Sequence, residues 1–257
     1  DSTASIHNKF FSPTVDGAGI LDGSTSSWVQ ITLVYTPESS SGANNEQVQF
    51  YKNGVAWGSP VVSPNDSYVV SRSTSNKFTI GTYGSSTSFD GKMSNFLFFK
   101  HDGQSGRSSS PSTAAEVAAL YNEGFVAEDY TQYAKGDDLV GYYKLDENPA
   151  TASQITDYSG QNNHMTVIDD SVGTDTSNHG LQMKRDTSFT ISFWMKKSSA
   201  SGTKVILSKG YYGEYVVQQA GRSIRLVVRD LSGSHGTGST YVMSYYQASS
   251  ILSNNTG

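Results

Sequence analysis

The sequence lacks cysteine, has few charged residues and contains no long hydrophobic run. Without cysteine there is no disulfide, no thiol nucleophile and no cysteine-ligated zinc. Only 16% of the 257 residues are charged and the net charge is −5, so we do not expect a basic face that would neutralise nucleic-acid phosphates. The apolar runs are far shorter than a membrane-spanning helix requires. We therefore expect no nucleic-acid partner and no membrane insertion.

The chain is rich instead in hydroxyl-bearing, small and aromatic residues: 42 serines, 22 threonines, 25 glycines, 16 tyrosines and 11 phenylalanines. Aromatic residues and threonine favour strands, whereas serine and glycine favour turns. The aromatic residues are spread along the chain and supply material for a packed core, which argues against disorder. The composition therefore predicts short strands joined by polar loops.

Alternation of apolar and polar residues predicts a series of strands. In segment 28–35 the residues of odd number are apolar, and the same holds for 189–195. Asn53-Gly54 predicts a tight hairpin, because this pair tolerates two positive φ angles. Segment 93–99 is apolar on both faces and should lie inside a sandwich. The predicted strands cover 28–35, 48–52, 55–57, 78–81, 93–99, 139–145, 189–195, 204–208, 215–218 and 224–229.

A single helix is predicted after Pro111. Thr113 and Glu116 have the spacing of a capping box, an apolar stripe follows, and Gly124 ends the helix. Many short strands with one helix predict an all-β fold, an antiparallel jelly-roll β-sandwich of concanavalin A-like type with one short helix.

The ordered set of motifs resembles the LamG-like family of concanavalin A-like jelly rolls, also called laminin G-type or pentraxin-like lectin folds. Motifs typical of the second half of that family occur in 28–35, 51–54, 80–81, 89–99 and 116–124. Motifs typical of its first half occur in 142–147, 157–164 and 189–194. The resemblance implies an extracellular lectin-like sandwich, and it implies calcium and sugars as ligands to consider.

The two halves stand in reversed order. Residues 1–128 resemble the second half of the jelly roll, ending in a short helix, and residues 129–257 resemble the first half. The chain is then a fragment of a tandem repeat, a circular permutant, or a unit completed between chains. Its start, Asp1 without a methionine or apolar leader, is typical of a mature or excised segment. Each half alone would expose an apolar sheet face, so each interpretation requires a partner for it.

No pattern of catalytic residues is found. A glycoside hydrolase needs two carboxylates on one face of a strand, at even spacing. The acidic pairs Asp137-Asp138, Asp146-Glu147 and Asp169-Asp170 are adjacent instead, which is typical of solvated turns. The five histidines lack metal-ligand spacing, and there is no Gly-x-Ser-x-Gly motif. We therefore expect a protein that is not an enzyme.

The loop 157–164 is a candidate calcium site. Asp157 and Asn163 carry the oxygen ligands that calcium prefers, although one carboxylate is few for this ion. The alternative is a hydrogen-bonded turn in which Asp157 acts as an Asx cap and Gly160 has positive φ.

Aromatic side chains near predicted turns are candidates for stacking against a sugar ring. The predicted carbohydrate-binding residues are Trp194, Tyr211, Tyr212, Trp57 and Tyr83. In the alternative, Trp194 is buried in the sandwich and the loop aromatics are hydrophobic caps. Two sequons, at Asn65 and Asn254, are possible sites of N-glycosylation if the protein is made in a glycosylating secretory system.

Together these observations predict a non-catalytic structural or adhesive β-sandwich module at an extracellular, cell or virion surface. It would be one repeat of a fibre or surface protein, would assemble with copies of itself and would contact glycans. The alternative is an autonomous carbohydrate-binding lectin, and a third hypothesis is a glycoside hydrolase.

Overall fold

The computed structural model describes residues 7–37, 45–62, 78–81, 88–126, 129–147, 154–166, 187–199, 201–209 and 215–229. The strands are β1 (His7–Phe11), β2 (Val29–Thr36), β3 (Gln47–Lys52), β4 (Val55–Ala56), β5 (Val61–Val62), β6 (Phe78–Ile80), β7 (Gly91–His101), β8 (Leu139–Tyr143), β9 (Gln154–Ile155), β10 (Met165–Thr166), β11 (Ser188–Lys197), β12 (Thr203–Lys209), β13 (Tyr215–Ala220) and β14 (Ser223–Arg229). The helix α1 covers Ala114–Tyr121, and 3-10 turns cover Asn122–Gly124, Tyr130–Gln132 and Gly136–Asp138.

Two antiparallel sheets pack face to face. One has the strand order β1-β14-β13-β12-β6, and the other has β4-β3-β2-β11-β7-β8 with β5 also beside β3. The strands β9 and β10 form a small separate ribbon. The predicted all-β antiparallel sandwich with one short α-helix is confirmed.

The core lies between the two sheets and is rich in aromatic rings. The apolar residues of odd number in β2 and β11, such as Ile31 and Phe193, are fully buried there. Phe193 stacks on Phe96 with ring centroids 5.8 Å apart, and Phe189 stacks on Tyr35 at 4.6 Å. The alternation in the sequence therefore identified the inward face of both strands correctly.

Strands from both halves of the sequence share both sheets. In the larger sheet β11 lies between β2 and β7, and in the smaller sheet β12, β13 and β14 lie between β1 and β6. Within the described residues, the two halves thus cover one another's apolar faces inside a single chain. The choice between a circular permutant, a fragment of a tandem repeat and a unit completed between chains stays a prediction.

Helix α1 forms a partial third layer on the outer face of the larger sheet. Thr113 and Glu116 form the predicted capping box, and Asn122 ends the helix with φ 48°. Val117 packs against Val34 and Tyr51. No helix in the described ranges is long and apolar enough to cross a membrane.

The hairpin between β3 and β4 turns at Asn53 and Gly54, with φ angles of 51° and 75°. This turn is the one that the Asn-Gly pair predicts. Gly54 also lies directly against helix α1, so the hairpin helps to position that helix.

Candidate functional site

The loop 157–164 is organised around the carboxylate of Asp157, which is 5% exposed. Its Oδ1 accepts hydrogen bonds from the backbone N–H groups of Tyr142 and Ser159, both at 2.9 Å. Its Oδ2 accepts from Ser159 Oγ and from the backbone N–H of Asn163, both at 2.8 Å. Each carboxylate oxygen therefore already has two donors.

This arrangement fits a calcium ion poorly. A carboxylate that accepts four hydrogen bonds has few lone pairs left for a metal. The Asn163 side-chain amide donates to Val140 O at 2.7 Å, and its backbone carbonyl accepts from Tyr143 Oη at 2.7 Å. In the part of the chain that the structure describes, no three acidic or histidine side chains are grouped to hold a metal. The geometry favours the hydrogen-bonded turn, with Gly160 at φ 81°.

The same loop covers the outer edge of strand β8. Strand β8 is the last strand of the larger sheet. The backbone N–H of Tyr142 in β8 donates to Asp157 Oδ1, and the carbonyl of Tyr142 accepts from the backbone N–H of Tyr158. Edge strands are otherwise open to pairing with another chain. The loop therefore protects this edge.

Trp194 lies on the outer face of the larger sheet, beneath helix α1. Its ring stacks on Tyr121 with centroids 5.6 Å apart, and the residue is only 8% exposed. The indole N–H is buried without a hydrogen-bond partner. A sugar could stack on Trp194 only if the helix moved away, so sugar binding by this residue stays a prediction. The other candidates Tyr83, Tyr211, Tyr212, Asn65 and Asn254 lie outside the described residues.

Trp57 is half-buried in the segment that follows β4. Its indole N–H donates to the carbonyl of Pro13 at 2.8 Å, which fixes the orientation of the ring. The ammonium group of Lys52 lies over the ring, 5.0 Å from its centroid. Trp57 also packs against the core. The structure thus places an oriented aromatic ring beside a cation.

Lys52 also belongs to a group of charged side chains that we name the basic cluster: Lys52, Lys197 and Arg222 around Asp22. Lys52 Nζ donates to the carbonyl of Asp22 at 2.7 Å. Arg222 donates through Nε to Asp22 Oδ1 at 2.6 Å and through Nη2 to Oδ2. Burial lowers the pKa of Lys197, and Asp22, Arg222 and Lys52 all act on it electrostatically. The cluster connects the larger sheet, which contributes Lys52 of β3 and Lys197 of β11, with the smaller sheet, which contributes Arg222 in the turn between β13 and β14.

Charge interactions within the basic cluster shift its pKa values. The hydrogen bond from Arg222 holds the pKa of Asp22 at about 2, so this carboxylate stays ionised at neutral pH. Burial lowers the pKa of Lys52, with Asp22 acting in the opposite direction. For Lys197, burial again lowers the pKa, Asp22 raises it, and the positive charges of Arg222 and Lys52 lower it further.

This cluster was not predicted, although the sequence carries two signals of it. Lys52 continues the inward face of β3 after Val48 and Phe50, and Lys197 continues the inward face of β11 after Phe193 and Met195. A lysine on the core face of a strand is unusual, because a buried charge needs a partner.

A second polar network is buried beside the entry to helix α1. His101 Nδ1 lies 2.6 Å from Asp138 Oδ2, and its Nε2 lies 3.0 Å from Thr190 Oγ1 and 3.3 Å from Ser112 Oγ. The order of hydroxyl, imidazole and carboxylate is that of a nucleophilic relay. All four side chains are at most 6% exposed, so a substrate could not reach them in this conformation. The network fastens the segment before α1 to strands β7 and β11.

Comparisons with models of known families, with curated proteins and with solved structures found no match to this chain. The resemblance to LamG-like domains therefore stays a prediction, carried by the motifs alone.

Proposed function

We propose that this protein is a non-catalytic β-sandwich module that works at an extracellular or particle surface and contacts glycans. The contact would lie at the end of the sandwich that holds Trp57. Trp57 carries this proposal: it is half-buried, oriented by its hydrogen bond to Pro13, and next to the ammonium of Lys52.

Sugar recognition needs an aromatic face for stacking and polar groups that fix the hydroxyls. An indole held in one orientation loses little conformational entropy when a sugar stacks on it. The amide of Gln49, whose Nε2 donates to the carbonyls of Phe50 and Gly58, adds a polar group next to the segment that holds Trp57. These features support binding without implying any reaction.

The closed sandwich supports a rigid presenting role. The loop around Asp157 protects one edge of the larger sheet, and the strands β4 and β5 at the other edge have two residues each. Short or covered edges discourage strand addition. We infer that any assembly into a fibre would use surfaces other than completion of one sandwich by a neighbour.

Binding of the full chain to a panel of neutral and acidic oligosaccharides tests the proposed function. We expect Trp57→Ala to weaken binding by about tenfold, because stacking of a nucleic-acid base on an aromatic ring contributes roughly 1–3 kcal/mol and we expect a similar contribution from a sugar ring. Trp57→Phe keeps an aromatic ring, so its affinity should lie between those of the natural chain and Trp57→Ala. Tyr158→Ala is the matched control, because Tyr158 is an aromatic residue 40% exposed on the loop that covers β8.

The proposal is wrong if no oligosaccharide binds, or if Trp57→Ala and Tyr158→Ala bind as the natural chain does. Thermal unfolding of each variant checks that a loss of binding is not a loss of fold.

A further inference from the structure

The C-terminal end of helix α1 lies on a polar part of the outer face of the larger sheet. There Trp194 of β11 pairs with Gln30 of β2 on one side and with Ser94 of β7 on the other, so the three side chains share one face. Next to them, the hydroxyl groups of Thr32 and Ser192 are hydrogen-bonded at 2.8 Å. We name these five residues the covered face. A sheet face that packs on a helix is usually apolar, so this composition is unusual.

Two buried polar atoms of the covered face have no hydrogen-bond partner among the described residues. They are the acceptor Gln30 Oε1 and the donor Trp194 Nε1, in residues that are 1% and 8% exposed. Both residues contact the last turn of α1, because Gln30 Nε2 donates to Leu120 O at 3.0 Å and the Trp194 ring stacks on Tyr121. Burial of unpaired polar atoms is costly. Detachment of α1 would therefore relieve a cost that the closed position carries.

The two ends of α1 are held differently. Before the helix, Ser112 belongs to the buried network of His101, which fastens this end to the sheet. Of the eight helix residues only Val117 and Leu120 are buried. After the helix, residues 122–124 have three successive positive φ angles of 48°, 54° and 96°, which are unfavourable for the two that are not glycine. The helix is thus suited to swing away from the sheet about its N-terminal end.

We propose that α1 is a displaceable cover and that its movement opens a second sugar-binding face around Trp194. In the open position a sugar ring stacks on Trp194 in place of Tyr121, and its hydroxyl groups bond to Gln30 Oε1 and Trp194 Nε1. The covered face carries no charge, so its ligand class is a neutral oligosaccharide. The ligand rests on the proposed glycan-binding function, whereas the movement of α1 does not depend on it.

Hydrogen exchange of the full chain tests the movement. The indole N–H of Trp194 exchanges with solvent only when α1 leaves it, and it gives one of three tryptophan indole signals in an NMR spectrum, assigned with Trp194→Phe. We expect its protection factor to be at least about 100-fold smaller than those of the backbone amides in the centre of β11, which open with the whole sandwich. Equal protection would show that α1 leaves only on global unfolding, and would overturn the proposal.

Loosening α1 should strengthen sugar binding, because the apparent affinity of a covered site is reduced by the fraction of open molecules. A Cβ atom at Gly54 would lie 2.8 Å from Tyr121 Cβ, so Gly54→Ala pushes the helix outward. Gly202→Ala is the matched control, because Gly202 also has positive φ but no atom within 4 Å. Both substitutions are made in Trp57→Ala, which lacks the first proposed site.

The probes are cellotetraose, maltotetraose and mannotetraose, with affinities measured by calorimetry. We expect the Gly54→Ala chain to bind at least one of them about fivefold more tightly than the Gly202→Ala chain. Adding Trp194→Ala should abolish this gain, whereas adding Tyr158→Ala should not. Thermal unfolding checks that each variant is folded at the temperature of the titration.

The second face is wrong if the two glycine variants bind alike, if Trp194→Ala leaves the gain intact, or if none of the three probes binds. Binding by the natural chain that Trp57→Ala weakens would then leave the proposed function standing. If no oligosaccharide binds to the natural chain or to any variant, both the covered face and the glycan-binding function are wrong.

Discussion

At the scale of single residues, Asp157 shows how one carboxylate organises a loop. Asp157→Ala would leave the buried N–H groups of Tyr142, Ser159 and Asn163 without an acceptor. Because each unsatisfied buried donor costs roughly 1–3 kcal/mol, we expect a loss of about 3 kcal/mol or more in the free energy of unfolding. Denaturant titration measures this loss.

The hydrogen bonds of Asp157 also predict that calcium does not stabilise the protein. We expect neither calcium nor a chelator to change the unfolding temperature of the natural chain, because both oxygens of Asp157 already accept two hydrogen bonds. An increase in unfolding temperature with calcium that Asp157→Ala abolishes would restore the metal interpretation of this loop.

The lowered pKa of Asp102 predicts that the free energy of unfolding depends on pH. Burial alone would raise its pKa, but hydrogen bonds from Arg107 and the backbone N–H of Gln104, together with the charge of Lys100, hold the pKa at about 2. An unfolded aspartate has a pKa of about 3.9. The contribution of Asp102 is therefore complete above about pH 4 and is lost as pH falls towards 2. The free energies of unfolding of the natural chain and of Asp102→Asn, followed across this range, should converge at acid pH. Curves that stay parallel would show that ionisation of Asp102 does not contribute to stability.

At the scale of elements, the contact between helix α1 and the β3–β4 hairpin depends on Gly54. Gly54 has φ +75°, and a Cβ atom there would lie 2.8 Å from Tyr121 Cβ and 3.2 Å from Ala118 Cα. Gly54→Ala therefore combines an unfavourable φ with a clash against the helix, and we expect a loss of about 2 kcal/mol or more. Gly202→Ala is the control, because Gly202 has φ +77° with no atom within 4 Å, so only the cost of about 1 kcal/mol for the φ angle applies. Equal losses for the two variants would mean that the hairpin does not support the helix.

The elements that the sequence predicted are those with a local signal. Strands β2 and β11 alternate over many residues, the Asn53-Gly54 pair has its own turn geometry, and α1 has a capping box. Strand β1 was missed, because its pairing with β14 joins residues more than two hundred positions apart. The two-residue strands β5, β9 and β10 are too short to show a period.

The parts of the candidate site that could be predicted are likewise those whose residues are close in sequence. The turn around Asp157 was foreseen as an alternative, because its Asx cap and glycine are close in sequence. The basic cluster was not, because Asp22, Lys52, Lys197 and Arg222 come from four separate segments and meet only when the sandwich closes. The inward position of Lys52 and Lys197 could be predicted from the alternation of apolar residues. The proximity of Asp22 and Arg222 to them could not.

At the scale of the whole molecule, the sheet edges determine whether one chain closes the sandwich by itself or needs strands from a second chain. The larger sheet is covered at β8 and ends at short strands on its other side, and β6 at one edge of the smaller sheet has three residues. The apolar faces that each half of the sequence would expose alone are covered by the other half. Coverage of the apolar faces removes one physical reason for one chain to complete another, and the short or covered edges at β8, β4, β5 and β6 weaken a second.

We therefore expect the chain to be a monomer with a mass near 27.7 kDa by size-exclusion chromatography with light scattering, at every concentration tested. Asp157→Ala provides the informative comparison, because loss of the covering loop would expose the edge of β8 to pairing with another chain. Its mass should rise with concentration under conditions in which the natural chain stays monomeric. A rise for the natural chain itself would contradict closure within one chain, and would make completion between chains, and with it assembly into a fibre, the better account of the reversed motif order.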